Sequence, residues 1–246
     1  MGFFYYLVKI MYMYKNIKIL YEDNHIIVVV KPAGIPSQAD KTGDEDMLTL
    51  LKKYIKEKYN KPGEVYLGLV HRLDRMTSGI MVFARTSKAA SRLSKNIREG
   101  DFKKRYIAVL NGHMKKIQKS MFLENYLVKN EKTNMSKVCN IDTKNSKLAS
   151  LEYNVLNNFS YNNKKYCYVE IKLNTGRHHQ IRVQFSNINH PLYGDLKYGK
   201  NSNKEGQKLA LFAYDLTFFH PTKDEVLNFK ILPEQKGIWS ELKQWK

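Results

Sequence analysis

The chain has 246 residues, of which 43% are hydrophobic and 12% aromatic, enough for one large domain or two small ones with a sizeable core. Its net charge of +19 favours a polyanionic partner such as nucleic acid, while the apolar content excludes a low-complexity basic tail. Cys139 and Cys167 are the only cysteines and lack metal-ligand spacing, so neither a disulfide framework nor a zinc site is expected, and a reducing cytoplasm fits.

Met1 to Tyr14 is apolar and aromatic, but it is too short to span a bilayer and is interrupted by Lys9. It carries no small-residue cleavage site, so it reads as an N-terminal extension over 1–14, with Met11 or Met13 as an alternative start. Ile17–Tyr21 and His25–Val30 read as two strands around the turn Glu22-Asp23-Asn24, followed by a loop from Lys31 to Pro36. Met47, Leu50, Leu51, Tyr54 and Ile55 have helical spacing, which predicts a helix over 45–59. Val65–Val70 and Ile80–Ala84 are apolar runs that read as strands meeting at a polar turn. Ser87 is the expected N-cap of a helix that Gly100 ends. Phe102–Leu110 reads as a strand closed by Gly112, and Tyr166–Leu173 as another. Lys115–Lys147 is rich in lysine and asparagine, which suggests strands with long exposed loops. Ile181, Phe185 and Ile188 predict a helix over 178–188 with Arg182 off its apolar stripe.

The polar turn is the most informative stretch. His71-Arg72-Leu73-Asp74-Arg75-Met76-Thr77-Ser78-Gly79 sets one carboxylate between two arginines on a loop between strands. A carboxylate so placed stays ionised and can serve as a nucleophile or a base. An ordinary hairpin loop would account for Asp74, Thr77 and Gly79 but not for the rest. Arginine falls in two blocks only, Arg72 to Arg105 and then Arg177 with Arg182, in a chain that otherwise uses lysine. Either arginine persists where its planar fork matters, for carboxylate pairing or phosphate contact, or the clustering is chance.

These nine residues resemble the catalytic motif of the RluA family of RNA pseudouridine synthases. Ile19–Asp23 through Lys31-Pro32-Ala33-Gly34 is similar to that family's N-terminal motif, and Lys104–Val109 to the segment carrying its active-site tyrosine, here Tyr106. Thr175–Val183, continued by His190–Asp195, is similar to its C-terminal motif. Two departures stand out: His178 where a small hydroxyl residue is common, and Gln184 where histidine is common; both could alter RNA contacts.

The resemblance implies an α+β fold: a mixed, mainly antiparallel sheet with flanking helices and a central basic cleft, forming one catalytic domain over 15–246 with no RNA-binding domain before it. It implies isomerisation of specific uridines in ribosomal or transfer RNA to pseudouridine. The bond from ribose C1′ to N1 is exchanged for one to C5 of the same base. No atom is gained or lost, so neither cofactor nor metal is expected. Asp74 attacks the sugar at C1′ or deprotonates it, Arg182 pairs with Asp74 and keeps it ionised, and Tyr106 stacks on the base. Arg72 either fills the space of a flipped nucleotide or holds a phosphate. Arg75, Arg105, Arg177, His178 and Gln180 complete the expected RNA contacts.

From the residues alone, a half-buried strand aromatic remains open for Tyr106 and a solvated helix charge for Arg182. The lysines of 115–119 and 197–208 either track the phosphate backbone or line solvated loops. His178 and His179 point in divergent directions on a regular helix or strand, which makes a poor chelating pair. RNA is the expected partner, no membrane is, and a monomer is the expected state. A non-catalytic RNA-binding protein and a small-molecule nucleoside hydrolase remain as rival classes.

Overall fold

The computed structural model describes residues 3–7, 12–115 and 120–242. In chain order the elements begin with β1 (Phe3–Leu7), β2 (Tyr12–Tyr14), β3 (Ile17–Glu22), β4 (Ile26–Lys31), α1 (Met47–Lys58) and β5 (Gly68–Leu69). Next come β6 (Ser78–Ala84), α2 (Ser87–Glu99), β7 (Lys103–Asn111), β8 (Met121–Asn130), β9 (Met135–Cys139) and β10 (Lys147–Tyr161). The last are β11 (Lys164–Leu173), α3 (Gln180–Asn187), β12 (Leu211–Phe219), β13 (Val226–Lys230) and a 3-10 turn at Gly237–Trp239. The chain divides into two compact units, Met1–Lys104 with Ala213–Leu232 and Arg105–Phe212 with Pro233–Lys246.

In the first unit the strands run in the order β2-β3-β4-β6-β12, with β13 beside β12 and β1 beside β13. Phe3–Leu7 of the extension pairs in parallel with β13, whereas β2–β3, β3–β4, β4–β6 and β12–β13 are antiparallel. Ile26, Val28, Ile80 and Val82 alternate onto one sheet face and meet Ala89 and Leu93 of α2, Phe218 and Phe229. Asp46 caps α1 by accepting the N–H groups of Leu48 and Thr49. The N-cap of α2 is Thr86, not Ser87: its hydroxyl accepts the Ala89 N–H, and Gly100 ends the helix at φ +83°. The apolar run before the motif forms a strand only at Gly68–Leu69, because β6 is the long partner and the chain leaves it after two residues.

In the second unit the order is β7-β11-β10-β8-β9, and β10–β11, β8–β10, β7–β11 and β8–β9 are all antiparallel. Residues 106–110 are buried without alternation, as a strand covered on both faces requires. The lysine-rich segment forms the β8–β9 hairpin and enters the 15-residue β10; residues 116–119 of it lie outside the described part.

Cys167 sits at 0% exposure in β11, and burial pushes its thiol up to about 12. Cys139 is half-buried. A thiol reagent at pH 8 is therefore expected to modify Cys139 in the native protein and Cys167 only after denaturation, and two equally fast thiols in the native state would contradict this.

Candidate active site

In the first unit, the motif around Asp74 is held from both sides. His71 and Leu73 turn inward, while Arg72 is exposed and Asp74 and Arg75 are half-buried. The His71 ring accepts the Val82 N–H of β6 at Nε2 (3.1 Å), and burial keeps it neutral. Ser37 satisfies both backbone groups of Leu73: its hydroxyl donates to the carbonyl (2.8 Å) and accepts the N–H (3.2 Å). The Thr77 N–H closes the turn on the Asp74 carbonyl (3.0 Å). Gly79 leaves that turn at φ +129°, and a Cβ there would stand 2.3 Å from the Ala213 carbonyl oxygen, so no other residue fits.

The loop after β4 is tied to the same turn. Lys31 is fully buried and its ammonium donates to the carbonyls of Pro32, Ile35 and Arg75 (2.9, 2.7 and 2.9 Å). Burial pushes Lys31 down to about 7, against which the Asp74 carboxylate pulls upward. The sequence marks Lys31 only by its place directly before Pro32. Arg75 donates from Nε to the Gly34 carbonyl (3.0 Å), and its outer nitrogens reach Thr42 and Asp44.

In the second unit, Tyr106 lies in β7 opposite Ile171 of β11 and is 5% exposed. Arg105 points to solvent, with Glu170 3.5 Å away. Arg182 is not a solvated charge: it is 5% exposed and forms a bidentate pair with the buried Asp195, both bonds 2.7 Å. Asp195 also accepts the N–H groups of Lys197 and Tyr198 (3.0 and 3.1 Å). The turn that presents it is pinned by Asn203, which accepts the Gly194 N–H (2.8 Å) and donates to the carbonyls of Leu192 and Gly199. Asp195 ends the stretch His190–Asp195, and nothing along the chain marks it. A carboxylate after a glycine is too common a pattern to single out.

The N-terminus of α3 corrects two further expectations. Gln180 was expected to contact RNA, but it is 3% exposed and its amide is spent inside the unit. Its oxygen accepts from Thr175 and the Arg177 N–H, and its nitrogen donates to the Ser150 carbonyl. His178 and His179 do not diverge, because His179 takes a left-handed φ of +53° and stacks the rings with centroids 3.8 Å apart. Each ring has its own partner: His178 Nδ1 bonds Ser136 (2.9 Å) and His179 Nδ1 bonds the Tyr198 hydroxyl (2.7 Å). Gln184, the other departure, is fully buried and donates to the carbonyls of Leu123 and Ala149. Arg177 is exposed, with its Nε on the Leu148 carbonyl. Lys197, Lys200, Lys204 and Lys208 are exposed. No group of three or more potential metal ligands occurs among the described residues, and no helix among them is long and apolar enough to cross a membrane.

Burial, then the neighbouring Lys129, Lys197 and Arg182, hold His178 at about 4 instead of 6.5. The unfolded chain takes up a proton below 6.5 that the folded chain refuses until about 4. Stability contributed by the neutral ring is thus present above 6.5 and is lost as the pH falls to 4. Urea midpoints measured across that window are expected to fall less steeply for His178→Gln than for the unmodified chain, and parallel curves would contradict this.

Residues 25–187 match the family model described as RNA pseudouridylate synthase. The chain is 34% identical to an uncharacterized RNA pseudouridine synthase of Aquifex aeolicus over 243 residues, spanning 93% of this chain and 73% of that one. It is 33% identical to the ribosomal large subunit pseudouridine synthase C of Buchnera aphidicola, over 85% of this chain and 64% of that one. The solved structure of human RNA pseudouridylate synthase domain containing 1 aligns with a TM-score of 0.70 at 26% identity, covering 90% of this chain and 84% of that one. The α+β architecture is that of these synthases, and the chain belongs to the RNA pseudouridylate synthase family.

Proposed function

We propose that this protein converts specific uridines of ribosomal RNA to pseudouridine with Asp74 as the reacting carboxylate. The observation that carries the reading is the Asp74 turn itself. Ser37, His71, Lys31 and Gly79 hold that nine-residue motif rigid inside the matched segment. Relatives named as ribosomal large subunit synthases C and D support ribosomal RNA over transfer RNA.

Asp74 engages C1′ of the target uridine as nucleophile or base and frees the uracil. The base turns, C5 bonds to C1′ as Asp74 is released in its starting state, the C5 proton leaves to solvent and N1 takes up one proton in its place. Tyr106 and Arg182 take the roles of base platform and charge partner, and Arg72, Arg105 and Arg177 contact the RNA backbone. Because the reaction is an internal exchange, one carboxylate suffices, whereas glycoside hydrolysis ordinarily uses two at a set separation. The target must leave its stack, which favours loops and distorted segments. Tritium release from RNA labelled at uridine C5 tests the proposal on separate ribosomal and transfer RNA substrates. Release from ribosomal RNA is expected. Release only from transfer RNA would overturn the substrate, and release from neither, with tight RNA binding, would favour a non-catalytic RNA-binding protein.

A further inference from the structure

Between Ser37 and Asp46 lies a loop, Gln38–Glu45, in which every residue is exposed. Its ends are fixed, at Ser37 by Leu73 and at Asp46 by the cap of α1. It carries Asp40, Asp44 and Glu45 against Lys41 alone, an acidic stretch in a chain of net charge +19. Thr42 binds both Asp40 and Asp44, so the loop presents these two carboxylates as one group, while Glu45 pairs with Lys15 and Lys53. That group lies on Arg75, the residue after Asp74: Nη1 donates to Thr42 (3.1 Å) with Asp40 at 4.0 Å, and Nη2 pairs with Asp44.

The two halves of Arg75 differ. Its inner half is built into the protein, because Nε donates to the Gly34 carbonyl while its own carbonyl accepts from the Gly34 N–H and the Lys31 ammonium. Its outer fork is open to water, with Arg75 38% exposed against 52% for Asp44 and 41% for Asp40. Such pairs contribute little and are screened by salt, while a phosphate offers a guanidinium fork the same planar match with more charge.

We propose that the acidic loop Gln38–Glu45 is a displaceable strap: it neutralises Arg75 in the RNA-free enzyme and yields that guanidinium to an RNA phosphate. The proposal rests on the RNA-directed reading above. Arg75 stays aimed throughout, since its inner contacts do not change, and only the carboxylates leave. A non-cognate polyanion must compete with the strap, so the contact selects RNA that also engages the rest of the site.

The test is a double-mutant cycle on binding to a large-subunit ribosomal RNA transcript, using the unmodified chain, Asp40→Asn/Asp44→Asn, Arg75→Gln and the triple variant. The strap predicts that the two asparagines tighten binding about two- to fivefold, the equivalent of an exposed ion pair. It predicts that the gain disappears when Arg75 is glutamine. Arg75→Gln alone is expected to lower the salt slope by about one. Arg75→Lys, which keeps the charge without the fork, serves if glutamine impairs folding, and is expected to lose most of the coupling. Amide exchange in 38–45 is expected to speed up when RNA binds. A gain that persists without Arg75 would show a general charge effect and overturn the strap. So would no gain, or slower exchange of a loop that instead clamps the RNA. An unmodified chain that neither binds nor modifies the transcript would overturn the RNA reading itself, a result distinct from all of these.

Discussion

Asp74→Asn is expected to abolish tritium release, by about 10³-fold or more, while leaving RNA affinity within a few-fold of the unmodified chain. The substitution keeps the size of the side chain and removes the charge, and with it both reactions available to a carboxylate at C1′, attack and proton removal. Nothing else in the motif takes over, because its other inward groups are committed. His71 is held neutral with Nε2 on the Val82 N–H, and Lys31 spends its protons on three carbonyls. A tenfold loss or less would mean that the reacting group lies elsewhere. Equal loss of binding and turnover would mean that the turn had collapsed.

Asp195→Ala is expected to cost about 3–5 kcal/mol of stability, because it removes the bidentate partner of a guanidinium that is itself buried. Against a typical total of about 5–15 kcal/mol, that is a large share, and it should appear as a marked fall in the urea midpoint. Stability and chemistry can be separated at this pair. Replacing both residues by apolar ones, Arg182→Met with Asp195→Leu, removes both charges of the pair and is expected to restore much of the midpoint. Activity should stay lost in that double variant if Arg182 acts in the reaction. Full activity in it would reduce the pair to a structural role.

The parts of this protein that were legible in the linear pattern are those in which neighbours along the chain decide the outcome. Met47, Leu50, Leu51, Tyr54 and Ile55 mark α1 because helical spacing gathers them on one buried stripe. Gly100 ends α2 because the left-handed conformation suits a residue without Cβ. The Asp74 motif was legible for the same reason: it is a contiguous string, and the family match over 25–187 contains it.

What the pattern did not show depends on groups far apart in the chain. Val65–Val70 carries strand-forming residues, yet only Gly68 and Leu69 pair, since pairing needs a partner and β6 supplies it for two residues. Gln180 is an expected RNA contact, yet the Ser150 carbonyl from β10 joins the nearby Thr175 in occupying its amide. Divergence of His178 and His179 holds for regular backbone, and the left-handed turn at His179 removed it. Charge and the motif strings, through their resemblance to the pseudouridine synthases, point by themselves to a basic, α+β, RNA-directed chain with Asp74 on a polar turn, because each is a local property. Only the tertiary structure decided that Arg182 is buried against Asp195, that Lys31 braces the Asp74 turn and that Arg75 meets Thr42 and Asp44 of an acidic loop. Burial and ion pairing are set by whichever groups the fold brings within about 4 Å, and spacing along a chain does not encode that.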